Sequence, residues 1–163
     1  MDRRVRLRDD HAFEQRKATI IAILDDDGDV TIHDTGRVAP ERAIRFELDA
    51  PEHGLAATGR FRYGEVFRRD GDGWILESYT YDYIDLERGG RRAYHRHDLP
   101  GRSSVFHEHC RPPGGRPSIS HFRSYDVDLI EAHEEFAMSY ASETAIDCTG
   151  LRPLRNPSEE DGS

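Results

Sequence analysis

The amino-acid sequence predicts an α+β fold, in which a curled antiparallel β-sheet, a meander of about five to seven strands, packs against a C-terminal α-helix. Runs rich in β-branched and aromatic residues recur through most of the chain, and Gly, Pro and Asp clusters separate them. One later segment, residues 124–142, instead places apolar residues at helical spacing. No internal repeat is visible in the sequence, and we expect a single domain.

The first two strands are predicted on either side of an Asp/Gly cluster. KATIIAIL and VTIHDTG are β-branched runs that flank DDDGD, and this order favours a hairpin. A short amphipathic helix over residues 12–22 is the alternative for the first run. Three further runs, AIRFEL, GRFRYGEVFRRD and WILESYTYDYIDL, predict strands that continue the sheet.

A Gly-Gly turn predicts how the longest strand pairs with its successor. Gly89 and Gly90 accept positive φ, so they suit a two-residue loop between WILESYTYDYIDL and RRAYHRHDL. A loop of that length places Asp82 opposite His97. SVFHEHC is expected to form the next strand of the meander.

The terminal helix is predicted from the segment SYDVDLIEAHEEFAMSYAS. Leu129, His133 and Phe136 fall on one helical face, which we expect to pack on the sheet. Asp126 or Ser124 is the expected N-cap. His133 is interpreted as a packed residue because it lies within this apolar stripe.

The chain has 163 residues, and we predict a single α+β domain over residues 1–148 followed by a disordered tail over 149–163. Its formal net charge is −9, and no apolar run is long enough to span a membrane. The start of the chain lacks the apolar stretch of a secretory signal, so a cytoplasmic location is expected. Cys110 and Cys148 form no disulfide framework, which favours free thiols.

Four histidines form the main candidate catalytic group. They occur as two H-x-H pairs, His95 with His97 and His107 with His109, in strands predicted to be neighbours. Because side chains alternate along a strand, each pair shares a face, and the two pairs are expected to meet. The first interpretation is metal-free chemistry on an RNA phosphodiester. An imidazole pKa of about 6.5 lets one histidine remove the 2′-hydroxyl proton and another protonate the departing 5′-oxygen.

The basic character of the same segment favours a phosphate-bearing substrate. Residues 87–123 contain eight arginines and three acidic residues, although the whole chain is acidic. Guanidinium groups stabilise phosphorane charge, and a tyrosine ring can stack on a base. The candidate substrate-binding residues are Arg91, Arg92, Tyr94, Arg96 and His121.

Two other functional interpretations remain open. Neutral imidazoles two residues apart on a strand can bind one ion, so a divalent metal such as zinc is the alternative to an enzyme without a cofactor. The metal ligands in that case are His95, His97, His107, His109 and Cys110. The other is a non-catalytic module that binds nucleic acid or a protein through the same sheet. The interpretation that assigns no function is that the histidines line a polar sheet face and are hydrogen-bonded to nearby acidic side chains.

The order of these motifs resembles the TumE-like toxins of toxin–antitoxin systems over roughly residues 79–142. The similarity consists of a strand ending YDYID, a histidine-bearing stretch, the cluster VFHEHC, a Pro/Gly link and a terminal helix. This chain has FHEHC where the family usually has a cluster similar to PHHKH, so the resemblance extends to His107 and His109, and by placement to His95 and His97. It implies an RNA-cleaving enzyme whose partners are RNA and a cognate antitoxin protein, without membrane association. A homodimer is compatible with it.

Overall fold

A computed structural model describes residues 4–36, 40–49, 59–99, 102–115, 119–122, 126–142 and 144–152. The elements in these ranges are β1 Arg6–Leu7, α1 Asp10–Asp25, β2 Asp29–Asp34, β3 Glu41–Asp49, β4 Gly59–Asp70, β5 Gly73–Asp85, β6 Arg91–Leu99, β7 Arg102–Arg111, β8 Ile119–Phe122 and α2 Leu129–Ala141. Strands β2 to β8 lie in chain order in one antiparallel sheet, and the short β1 pairs with the start of β5. The predicted α+β class, antiparallel meander and C-terminal helix are confirmed.

The run KATIIAIL lies in α1 and not in a strand, so the predicted first hairpin is wrong. Asp9 caps this helix by accepting a hydrogen bond from the Ala12 amide at 2.7 Å. Phe13, Ile20 and Leu24 then fall on one helical face and are buried in the core. Burial of this stripe outweighs the strand preference of the isoleucines, because secondary-structure propensities differ by only about 1 kcal/mol or less per residue.

Both helices cover the same side of the sheet, which we call the core face. Phe13 of α1 packs edge-on against Phe67 of β4, with ring centroids 5.0 Å apart. Phe136 of α2 stacks on Tyr94 of β6 at 5.1 Å. The three tyrosines of YTYDY in β5 are also buried on this face. The opposite side of the sheet therefore carries the alternate side chains of every strand.

Helix α2 has Asp128 as its N-cap, so the predicted N-caps were misplaced. The Asp128 carboxylate accepts the Ile130 amide, and the Glu131 side chain in turn accepts the Asp128 amide, which makes a capping box. Asp126 instead lies buried and accepts a hydrogen bond from the Tyr79 hydroxyl at 2.6 Å. Ser124, the other predicted N-cap, lies outside the described residues.

His133 is a packed residue of α2, as predicted. Its Nδ1 lies 2.7 Å from the Tyr63 hydroxyl, and its Nε2 lies 2.6 Å from an Asp27 carboxylate oxygen. Leu129 and Phe136 are buried on the same face of the helix. The imidazole therefore ties α2 to the sheet and to the end of α1 within the core.

The turn between β5 and β6 spans residues 86–90 and is longer than the predicted two-residue loop. The Asp85 carboxylate organises it by accepting two backbone amides of the turn. Asp82 consequently lies opposite Ala93 and not opposite His97, which corrects the predicted register. Because the slip is an even number of residues, every side chain keeps its predicted face.

Cys110 and Cys148 form a disulfide, so the prediction of free thiols is wrong. The segment after α2 returns to β7, where Ile146 is buried and Leu151 packs against the core. These contacts hold the chain on the sheet on both sides of Cys148. Leu151 belongs to the predicted tail, of which residues 153–163 lie outside the described part of the chain.

Candidate metal centre

The four candidate histidines converge on the side of the sheet away from the helices, which we call the histidine face. His95 of β6 lies directly opposite His107 of β7, and His109 lies opposite Ala93. The ring centroids of His95 and His109 are 4.6 Å apart, and those of His97 and His107 are 5.0 Å apart. The predicted meeting of the two H-x-H pairs is confirmed.

Ring nitrogens of three of these imidazoles lie close to one another. The Nε2 atoms of His107 and His109 are 3.2 Å apart, and ligand nitrogens of His95, His107 and His109 all lie within 4.8 Å of one another. Zinc–nitrogen bonds of about 2.0–2.1 Å in a tetrahedral site separate neighbouring nitrogens by roughly 3.3–3.4 Å. The spacing of the His107–His109 pair is thus close to that of two ligands on one ion. His97 packs beside the three without belonging to this set.

Burial favours the neutral form of His95 and His109. His107 is 1% exposed, and the Nε2 of His95 is buried without a hydrogen-bond partner among the described residues. Burial, followed by the neighbouring histidines His109 and His107, lowers the pKa of His95 to about 3. Burial and the charge of Arg91 also lower the pKa of His109. Neutral imidazole binds metals and accepts protons, but it is a poor proton donor at neutral pH.

Arg91 is the predicted substrate-binding residue that lies on the histidine face. Its Nε donates to Asp82 at 2.9 Å, and its Nη2 makes a further short contact to the same carboxylate. Asp82 raises the pKa of the Arg91 guanidinium through this bond. The ion pair of Arg91 and Asp82 therefore lies beside the histidines, and its two charges cancel.

Tyr94 and Arg96 lie on the core face, apart from the histidines. Tyr94 is fully buried, and its hydroxyl donates to Glu135. Arg96 is 1% exposed and donates to Asp126 at 2.6 Å. Strand alternation accounts for both positions, since each residue follows a histidine that points the other way.

Arg92, His121 and Cys110 are separated from the histidines for the same reason. Arg92 points to the core face, where its Nη2 lies 3.5 Å from Glu108. His121 lies opposite Glu108 across the β7–β8 pair and is buried. Cys110 is bonded to Cys148, so its sulfur is not a fifth ligand of the kind predicted.

Sequence analysis missed an open groove of about 600 Å³ on the histidine face. The groove crosses β2 to β5, and Thr80, which lies opposite His95, forms part of its lining. Gly64 lies at its middle, in the interior of β4. A glycine inside a strand often marks a close approach to a ligand or another backbone, and this was the available signal.

Comparison of the chain with protein-family models, curated proteins and solved structures finds no match. Neither α1 nor α2, the helices of the described chain, has the length and apolar character needed to cross a membrane.

Proposed function

We propose that this protein is a metal-dependent enzyme whose ion, a divalent transition metal such as zinc, is bound by His95, His107 and His109. The observation that carries this proposal is the mutual approach of three ligand nitrogens within 4.8 Å. Three imidazoles on the neighbouring strands β6 and β7 match the histidine ligand set of known catalytic zinc sites.

The surroundings favour a catalytic site over a structural one. Structural zinc sites are closed by four protein ligands, whereas catalytic sites keep a position for water or substrate. His95 and His109 are only partly buried, and the groove begins beside them at Thr80. A metal bound here would lower the pKa of a coordinated water and so supply a nucleophile for hydrolysis. Arg91 forms an ion pair with Asp82 beside the histidines, so these two side chains add no net charge to the site.

Metal analysis of the purified, untagged protein tests the proposal. We expect about one zinc per chain after dialysis, and loss of most of it in His107→Ala and in His109→Ala, because each change removes a ligand. His11→Ala is the matched control, since His11 is exposed on α1. Wild-type protein that takes up no zinc, cobalt or nickel in a titration would contradict the proposal.

A second candidate is metal-free RNA cleavage, as the resemblance to TumE-like toxins implies. The observation that favours it is the convergence of His95, His97, His107 and His109 on a face that also carries Arg91. RNA and a cognate antitoxin would then be the partners. Tyr94 and Arg96 lie on the core face, so they do not support this candidate as ligands for a base and a phosphate.

Chelation distinguishes the two candidates. Ribonuclease activity that persists in metal-free wild type and disappears in His107→Ala would support histidine acid–base catalysis. Activity that is lost on chelation and restored by zinc supports the metal-dependent enzyme. RNA binding without new chain ends would support the non-catalytic module instead.

A further inference from the structure

The histidine cluster lies at one end of a straight row of residues that crosses the sheet. Residues directly opposite each other in successive strands share a face, and the pairings run without a break from β7 to β2. In order, the row is His107, His95, Thr80, Gly64, Arg45 and His33. The last four also line the groove.

Small side chains form the floor of the groove. A Cβ atom built on Gly64 would meet nothing closer than the Thr80 carbonyl oxygen at 3.8 Å, so the space above the glycine is open. In the neighbouring part of the groove, Ser78 and Ala43 also line it. A ligand can therefore lie across the strands with its groups close to the backbone.

Two arginines lie at the far end of the groove. The Arg45 side chain is 56% exposed, and its Nε lies 3.4 Å from Glu47. Arg62 approaches the same Glu47 oxygen at 3.8 Å, so two guanidinium groups share one carboxylate. An anion could displace part of this exposed network at little cost, because exposed ion pairs are weak.

The two ends are separated by a defined span. Arg45 on β3 and His95 on β6 are three strand spacings apart, which is roughly 14 Å at about 4.8 Å per strand. A groove of about 600 Å³ falls within the usual size of a small-molecule site. Its charge and its hydroxyl groups suit a polar ligand.

We infer that this groove is the substrate site of the proposed metal centre, and that it takes an extended small molecule with a terminal phosphate or carboxylate held at Arg45. The inference rests on the proposed function, since the reacting bond would lie at the histidines. Tyr79 is the one Phe, Tyr or Trp among the described residues that line the groove, and its ring stacks on Tyr81 in the core. A small molecule therefore fits the groove better than single-stranded nucleic acid.

Hydroxamates with tails of graded length are suitable probes, because the hydroxamate binds zinc and the tail extends along the groove. The tail ends in a carboxylate, a phosphate or a methyl group, and binding to zinc-loaded protein is measured by calorimetry. We expect the better anionic probe to bind about tenfold more tightly than the methyl probe at the best tail length. Comparison of the two anionic tails identifies the preferred anion.

Two variants locate the binding. Arg45→Gln should remove the preference for the anionic tail, whereas Arg68→Gln, which changes another exposed arginine of the sheet, should keep it. Gly64→Val should weaken all long probes about tenfold by filling the groove, since a β-branched residue suits the strand. Neither Gly64→Val nor Arg45→Gln should change the zinc content or the binding of acetohydroxamate, which is too short to reach either residue.

The possible failures are distinct. If acetohydroxamate binds but the long probes show no preference for an anionic tail, the groove assignment is wrong. The same holds if acetohydroxamate binds and both variants leave the affinity of the long probes unchanged. In either case the proposed metal centre is unaffected. Absence of zinc and of acetohydroxamate binding overturns the proposed function and the inference with it. Displacement of the long probes by a single-stranded RNA at lower concentration than by the free anions would overturn the assignment to a small molecule.

Discussion

Arg96 illustrates at the scale of one residue how the same side chain can be interpreted as a ligand for phosphate or as part of a core. In the sequence it stands between two histidines, within a segment rich in arginine. In the fold its guanidinium donates to the buried Asp126, which also accepts the Tyr79 hydroxyl. The arginine therefore neutralises a buried carboxylate beside α2. Burial, followed by the hydrogen bond to that carboxylate, raises the pKa of Tyr79.

Replacement of Arg96 tests this structural role. Arg96→Ala should lower the free energy of unfolding by roughly 3 kcal/mol, because it leaves the Asp126 carboxylate buried without its cation. Urea unfolding followed by circular dichroism measures the change, and zinc content should stay at the wild-type value in the folded protein. Arg62→Ala, a half-exposed arginine of the histidine face, is the control and should cost less than about 1 kcal/mol. Loss of zinc without loss of stability in Arg96→Ala would contradict the structural role.

At the scale of elements, α1 is held on the sheet by charged groups as well as by its apolar stripe. Arg42 of β3 is 3% exposed and donates to Asp34 of β2 and to Glu14 of α1. Lys17 of α1 donates to the same Asp34 at 2.9 Å. The guanidinium of Arg42 also lies over the Phe13 ring at 3.7 Å. One aspartate thus links the helix to two strands.

The hydrogen bonds from Arg42 are the main cause that lowers the pKa of Asp34 well below its ordinary value of about 4. The stabilisation is therefore complete above that value and is lost as the pH falls toward the folded-state pKa. Asp34→Asn should be less stable than wild type by roughly 2–3 kcal/mol at pH 7, where the wild-type carboxylate is ionised.

Urea unfolding at several pH values measures this effect. The difference in stability between wild type and Asp34→Asn should shrink as the pH falls below about 4, because wild type loses the ionised form. Glu77→Gln is a suitable control, since Glu77 is exposed and pairs only with the surface residue Arg68 among its described ion pairs. A difference that stays constant down to low pH would contradict the assigned role of the ionised Asp34.

At the scale of the whole molecule, the disulfide joins the segment after α2 to β7, the strand that carries two of the proposed ligands. Cys110 follows His109 directly in β7, and Cys148 lies 38 residues further along the chain. Cross-links of this kind restrict the unfolded chain and are typical of oxidising compartments. The cytoplasmic location therefore remains a prediction.

Cys148→Ser should lower the free energy of unfolding by roughly 2–4 kcal/mol, because it removes this restriction and leaves a polar hydroxyl beside the core. Chemical denaturation of the purified protein measures the change, and thiol titration of denatured wild type should find no free thiol. The variant should still bind zinc in its folded state, since Cys110 points away from the histidines. Two free thiols in wild type purified without reductant would contradict the disulfide.

Short-range patterns predicted much of the fold because strand alternation and turn residues act locally. They identified β2 to β7, the amphipathic face of α2 and the meeting of the two H-x-H pairs. They misassigned KATIIAIL, since the same apolar run suits a strand or a helix and only its packing partner decides between them. The β5–β6 register also differed, because Asp85 organises a longer turn than the glycines alone indicate.

The pattern of residues along the strands is enough to predict that four histidines share one face of an antiparallel sheet, because side-chain alternation has a period of two and tolerates an even slip in register. The neighbours of those histidines depend instead on how the helices pack on the sheet. The helices cover one face, so the arginines and tyrosines that alternate with the histidines are buried and paired, while the other face keeps the histidines beside an open groove. Which face is covered depends on contacts between residues far apart in the chain, and no local pattern contains that information.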